Sequence, residues 1–172
     1  MADILIMASD GFEQSELFVP LEQLKAAGHN VRIAAPKVGE IRAWDNDDWG
    51  KTVTADLAID DQTPEGFDAL VLPGGVINPD TLRVNEKAVA LIKAFAEASK
   101  PIAAICHAPW LLVEAGLTKG RKMTSFPSIR TDMRNSGAEV VDQSVVEDRG
   151  IITSRNPDDL DEFVKAILRH VA

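Results

Sequence analysis

At 172 residues, with 45% hydrophobic and 26% charged residues, the chain has the make-up of an ordinary globular protein and enough length to enclose a full core, so one domain over residues 1–172 is expected. A formal net charge of -9 opposes nucleic acid and anionic membranes, and three dispersed histidines with one cysteine offer no zinc-ligand spacing, so no nucleic-acid, membrane or metal partner is expected. A lone cysteine excludes an internal disulfide, and Met1–Ala8 lacks the basic flank and apolar length of a signal peptide, which points to the cytoplasm.

In chain order, Ile4 to Ala8 reads as a short apolar strand ended by the turn residues Asp10-Gly11. Ser15 is the expected cap of a helix whose apolar stripe runs through Leu17, Leu21, Leu24 and Ala27 to a stop at Gly28, with Pro20 near its first turn. Val31 to Ala35 is the next strand, closed by Pro36, and strand, helix and strand in this space argue for a parallel crossover. The segments Ile41 to Trp44 and Lys51 to Thr54 flank the acidic run Asp45 to Gly50, which suggests a surface hairpin; the run lacks a complete calcium-loop pattern and reads as a solvated loop.

The parallel rhythm resumes at Asp68 to Leu72, a strand ending in Pro73-Gly74-Gly75. Asn85 caps a helix through Val89, Ile92, Phe95 and Ala96, and Ile102 to Ile105 is the following strand, after which Cys106 sits in a sharp corner leading into a helix that ends near Ala115. A short strand about Met123, a helix between Ser128 and Ser136, two or three strands between Glu139 and Ser154, and an amphipathic helix opened by Pro157 complete the chain. The alternation means an α/β three-layer sandwich, a central and mostly parallel sheet with helices on both faces. Ligands gather at the carboxyl ends of strands in such sheets, where Ser9, Gly75 and Cys106 are expected.

Three loops are expected to converge there. Asp10 to Glu16 brings carboxylates at a helix start, Gly74 and Gly75 bring unobstructed backbone N–H groups suited to an oxyanion, and Cys106 brings a thiol whose ionisation a helix N-terminus favours. His107, next in sequence, is a candidate general acid or base. Dinucleotide and phosphate-loop patterns are absent, and no cofactor is expected; Ile105 to Pro109 has the pattern of a nucleophile elbow with cysteine in place of serine.

On Asp10 to Glu13 with Glu16, Leu72 to Gly75, Asn85 to Val89, Ala104 to Pro109, Ser128 to Asp132 and Thr153 to Arg155, the chain resembles, over its full length, the PfpI-type intracellular peptidases and parkinsonism-associated deglycases of the class I glutamine-amidotransferase-like superfamily. The resemblance implies a flavodoxin-like sandwich with Cys106 as nucleophile, a protonated Glu16 hydrogen-bonded to its sulfur, and oxyanion donors from Gly75 and His107. It also implies self-association into dimers or hexamers, with the site near a subunit interface and Asp80 of a neighbouring copy orienting His107. Asp80 stands where the peptidase pattern has glutamate, Phe126 where a tyrosine is common, and Ala108 where glycine is common, which weakens the peptidase reading more than thiol chemistry. The leading expectation is a cofactor-independent enzyme acting on reactive carbonyls or glycated protein, of the glyoxalase or deglycase kind, in which Cys106 attacks an aldehyde to give a hemithioacetal. The alternatives are a cysteine peptidase or amidase, and a non-catalytic stress protein oxidised at Cys106.

Overall fold

In the computed structural model, which describes residues 1–172, the chain opens with β1 (Asp3–Met7), β2 (Phe12–Glu13), α1 (Gln14–Ala26) and β3 (Asn30–Ala35). The crossover is parallel, with Ile4 opposite Val31 and Ile6 opposite Ile33. Ser15 is not its cap. Phe12 and Glu13 are held extended by pairing with Ala43 and Trp44, so the helix begins directly at Gln14 and Glu13 occupies the cap position without a side-chain bond. Pro20 therefore lies inside the helix rather than near its first turn, and its missing N–H leaves the Glu16 carbonyl without its usual helical donor.

β4 (Gly39–Asp45) and β5 (Asp48–Ala55) form the expected hairpin, and β6 (Leu57–Ala58) follows. The hairpin turns through Asn46 at φ 58, so the acidic run is mostly strand. Because β2 joins it in a three-stranded sheet, the hairpin is tied to the carboxyl end of β1.

Next come β7 (Ala69–Leu72), α2 (Ile77–Leu82), α3 (Glu86–Glu97), β8 (Ile102–Ile105) and α4 (Pro109–Glu114). Asn85 caps α3 as its sequence position requires, its carbonyl accepting from the Lys87 and Ala88 N–H groups at 3.1 Å. The chain ends with β9 (Lys122–Met123), α5 (Arg130–Asn135), β10 (Glu139–Val140), β11 (Val145–Asp148), β12 (Ile151–Ser154) and α6 (Leu160–Val171). β9 pairs only with β10, outside the main sheet.

The central sheet has seven strands in the order β11-β12-β8-β7-β1-β3-β6, parallel throughout except for β11 against β12. Its inner order β3-β1-β7-β8-β12 is the flavodoxin-like one, in which the winding reverses between β1 and β7. Alternation along each strand divides the interior into two layers. Ile4, Ile6, Val71, Ala103, Ile105 and Ile152 meet α1 and α6 on one face. Leu5, Met7, Leu70, Leu72, Ile102 and Ala104 meet α3 and α4 on the other. Strands buried on both faces expose only their ends, and the crevice at the reversal point is where polar side chains can collect without breaking the core.

Candidate active site

Cys106 follows β8 at φ 67, a backbone conformation that non-glycine residues seldom adopt. Its N–H donates to the Ser154 carbonyl at 3.0 Å and its own carbonyl accepts from the Phe126 N–H at 2.8 Å, so β12 and the loop after β9 hold the strained turn from both sides. The turn lifts the thiol out of the sheet, with Cys106 still 5% exposed. α4 begins only at Pro109, so the N–H groups directed at the sulfur belong to Gly75 and His107 rather than to a helix end.

Gly74 and Gly75 have to be glycines. A Cβ on Gly74 would lie 2.5 Å from the Ile105 carbonyl and 2.7 Å from Cys106 Cβ; one on Gly75, at φ +80, would lie 2.6 Å from the Gly11 carbonyl. The close approach presents both N–H groups to the crevice. Gly74 donates to Glu16 Oε1 at 3.0 Å. Asn78, fully buried at the start of α2, fixes this loop to the end of β1: its amide nitrogen donates to the Pro73 and Gly74 carbonyls at 2.9 and 3.2 Å, and its carbonyl accepts from the Ser9 N–H at 2.8 Å.

Glu16, on the first turn of α1, is 0% exposed, and its Oε2 has no hydrogen-bond partner. Burial, then the charge of Glu13, push its pKa up to about 8, against the pull of Cys106 and the Gly74 and Gly75 N–H groups. The carboxyl therefore keeps its proton at neutral pH. The sulfur departs from the sequence expectation of a thiol favoured as thiolate: burial, then the charge of an ionised Glu16, push the thiol up, while the Gly75 and His107 N–H groups pull it down. At rest Cys106 is a thiol with an acceptor at hand, because His107 Nδ1 lies 3.2 Å from Sγ. Burial lowers the His107 pKa, so the ring is neutral at pH 7. Its Nε2 lies 3.1 Å from Ser128 Oγ, an arrangement satisfied by the proton on Nε2 and a free acceptor at Nδ1. Stacking on Phe126 at 4.5 Å fixes the ring plane.

These groups open into a cavity of ≈ 530 Å³ lined by Glu13, Trp44, Asn46, Ile77 and Phe126 beside Glu16, Gly75, Cys106 and His107. Asp80 is exposed on α2, outside this lining, and makes no bond to His107 within the chain; the hydroxyl of Ser128 takes that place. The hairpin residues Trp44 and Asn46 were not legible as site residues, since an acidic hairpin tip carries no sign of the β2 pairing that folds it over the crevice. Ser128 was visible only as part of a motif. In chemical terms the site offers a thiol with a general base, a neutral acid with a proton to give, and backbone donors for an oxyanion.

The model of the DJ-1/PfpI family matches residues 2–170. Deglycase TK1284 of Thermococcus kodakarensis is 48% identical over 168 residues, covering 95% of this chain and 98% of its own. Protein/nucleic acid deglycase 2 of Escherichia coli is 41% identical, covering 96% and 95%. Among solved structures, Drosophila melanogaster DJ-1beta superposes with a TM-score of 0.90 at 28% identity, covering 99% of this chain and 90% of that one.

Proposed function

Because this chain belongs to the DJ-1/PfpI family, we propose that it is a deglycase-type stress enzyme in which Cys106 attacks reactive aldehydes and their early adducts on protein. The observation that carries this reading is the thiol of Cys106 between a base at 3.2 Å, His107 Nδ1, and a fully buried protonated carboxyl, Glu16.

With methylglyoxal as substrate, the thiol proton passes to His107 Nδ1 as sulfur bonds to the aldehyde carbon. The carbonyl electron pair moves to oxygen, which the Gly75 and His107 N–H groups stabilise and to which Glu16 donates its proton, giving a hemithioacetal. Loss of the proton from that carbon and protonation of the neighbouring carbonyl carbon, with His107 and Glu16 exchanging the protons, turn the hemithioacetal into a thioester of lactate. Carbon one is oxidised as carbon two is reduced. Water then displaces sulfur, so the sum is methylglyoxal plus water giving lactate. An adduct on an amine or thiol enters the same sequence by expelling the amine or thiol as the leaving group.

Lactate formation from methylglyoxal tests this reading directly. Cys106→Ala is expected to abolish it while circular dichroism and melting stay as in the parent; turnover that persists in that variant, or hydrolysis of peptides without turnover of methylglyoxal, overturns it. The peptidase reading is the less well supported, because Ser128 rather than a carboxylate meets His107 Nε2. We also propose that copies of the chain associate, as the sequence resemblance implies, through the exposed side of α2 that carries Asp80.

A further inference from the structure

The cavity has a pronounced charge bias. Its ionisable lining is Glu13, Glu16, Cys106 and His107, with no lysine or arginine. Arg42 and Lys51 lie outside this lining, over the Trp49 ring at 5.8 Å and the Phe18 ring at 5.9 Å. Glu13 is held in place by the Asn46 N–H, which donates to its Oε1 at 3.3 Å, and it has no salt-bridge partner. Burial, then the Asp45 charge, raise its pKa against the Asn46 bond, the response of a carboxylate short of positive charge. Opposite it, Trp44 is pinned by its own Nε1–H bond to the Asn46 carbonyl at 2.9 Å and by edge contact with Trp49 at 5.4 Å, and Phe126 is pinned on His107. Glu16, also in the lining, has a buried Oε2 without a hydrogen-bond partner.

A rigid pocket that joins an unneutralised carboxylate to aromatic walls recognises a cation, by charge and by ring faces together, and repels an anion. We propose that Glu13 is a specificity-determining residue that selects substrates carrying a positive charge beside the reacting carbonyl, such as the aldehyde adduct of a guanidinium or ammonium group, and rejects those carrying a carboxylate. The substrate part of this inference rests on the carbonyl chemistry proposed above. The charge preference itself belongs to the cavity and can be read without turnover.

Methanethiosulfonate reagents give that reading. Each places its thioalkyl group on Cys106 as a disulfide and releases methanesulfinate, and the methyl, trimethylammonioethyl and sulfonatoethyl reagents are neutral, cationic and anionic. With rates normalised to a free small thiol, at low salt, the cation is expected to react roughly tenfold faster than the neutral reagent and the anion roughly tenfold slower, the lower range for focusing by a charged cleft. Glu13→Gln, which keeps an acceptor for the Asn46 N–H, is expected to shrink the cation-to-anion ratio at least about fivefold, a change that the overall charge of -9 cannot produce because the variant barely alters it. Glu13→Asp is expected to retain most of the ratio. In parallel, methylglyoxal-treated acetyl-arginine amide is expected to be turned over with a higher kcat/KM than glyoxylate, and Glu13→Gln to narrow that gap.

Equal normalised rates in the parent protein, or an undiminished ratio in Glu13→Gln, overturn the inference whatever the carbonyl assay gives. A ratio that collapses in Glu13→Gln supports charge selection, and absence of carbonyl turnover in the same samples then overturns only the proposed reaction. Failure of all three reagents to reach Cys106 overturns both.

Discussion

A carboxyl group sealed from water beside a thiol makes the energetics of this site depend on pH. Glu16 has its pKa raised to about 8 from an ordinary 4.5. Between those values the folded chain keeps a proton that the unfolded chain releases, so stability is fully present below pH 4.5 and declines as pH rises toward 8. Glu16→Gln removes this dependence. Relative to the parent, the variant is expected to gain about 1.4 kcal/mol per pH unit across that window, measured as denaturant midpoints at fixed slope. The same substitution removes the proton that the developing oxyanion receives, so kcat for methylglyoxal is expected to fall by about 10²–10⁴. A variant that unfolds with the parent's pH profile would show Glu16 to be ionised in the fold. At this scale the sequence was informative about position. Cys106, Gly74, Gly75, Glu16 and His107 do meet, because each follows a strand end or opens a helix at the carboxyl ends of the central strands. The direction of the thiol shift was not legible, since it depends on how deeply the elbow is buried and on where α4 begins, at Pro109.

Between elements, the link that keeps the crevice in shape is Asn78. It satisfies the Ser9 N–H and the Pro73 and Gly74 carbonyls at once, so three strand-end groups depend on one amide. Asn78→Ala leaves them buried without partners and is expected to cost about 1–3 kcal/mol of stability by chemical denaturation. It is also expected to slow methylglyoxal turnover, because the Gly74-Gly75 loop loses its tether. A stability change below about 0.5 kcal/mol would mean that the loop is held by glycine packing alone. Asn78 appeared in the sequence only beside Asp80, and nothing in a lone Asn-Pro pair tells that its amide reaches back to two strands. The main strands and the longer helices were legible because the strands are apolar runs closed by Pro or Gly and α3 and α6 carry clear apolar stripes, whereas the two-residue strands β2 and β6 and the six-residue α2 are too short to show a period and were not expected. Ser15 misled because a tertiary pairing, β2 with β4, starts α1 early, and a local capping rule does not register a strand that short.

For the whole molecule, α2 and its flanks carry Val76 at 54%, Ile77 at 39% and Val84 at 81% exposure around the exposed Asp80. An apolar rim beside the cavity mouth is the surface that self-association would cover. Light scattering after gel filtration is expected to give a mass of two or six times the 18.6 kDa of one chain, and Val84→Glu to shift it toward one. A parent protein of 18.6 kDa in solution would remove the proposal that copies associate through the side of α2 that carries Asp80. The manner of association is constrained by how the central sheet terminates. At one margin β6 is only two residues long, and at the other β11 ends in Glu147 and Asp148, whose carboxylates are engaged by Arg169 and His170 and by Arg149. A two-residue stub at one margin and paired charges along the other both discourage a foreign strand from adding to the central sheet. In the association proposed above, copies therefore meet by side-chain relief rather than by carrying the central sheet on from one subunit into the next.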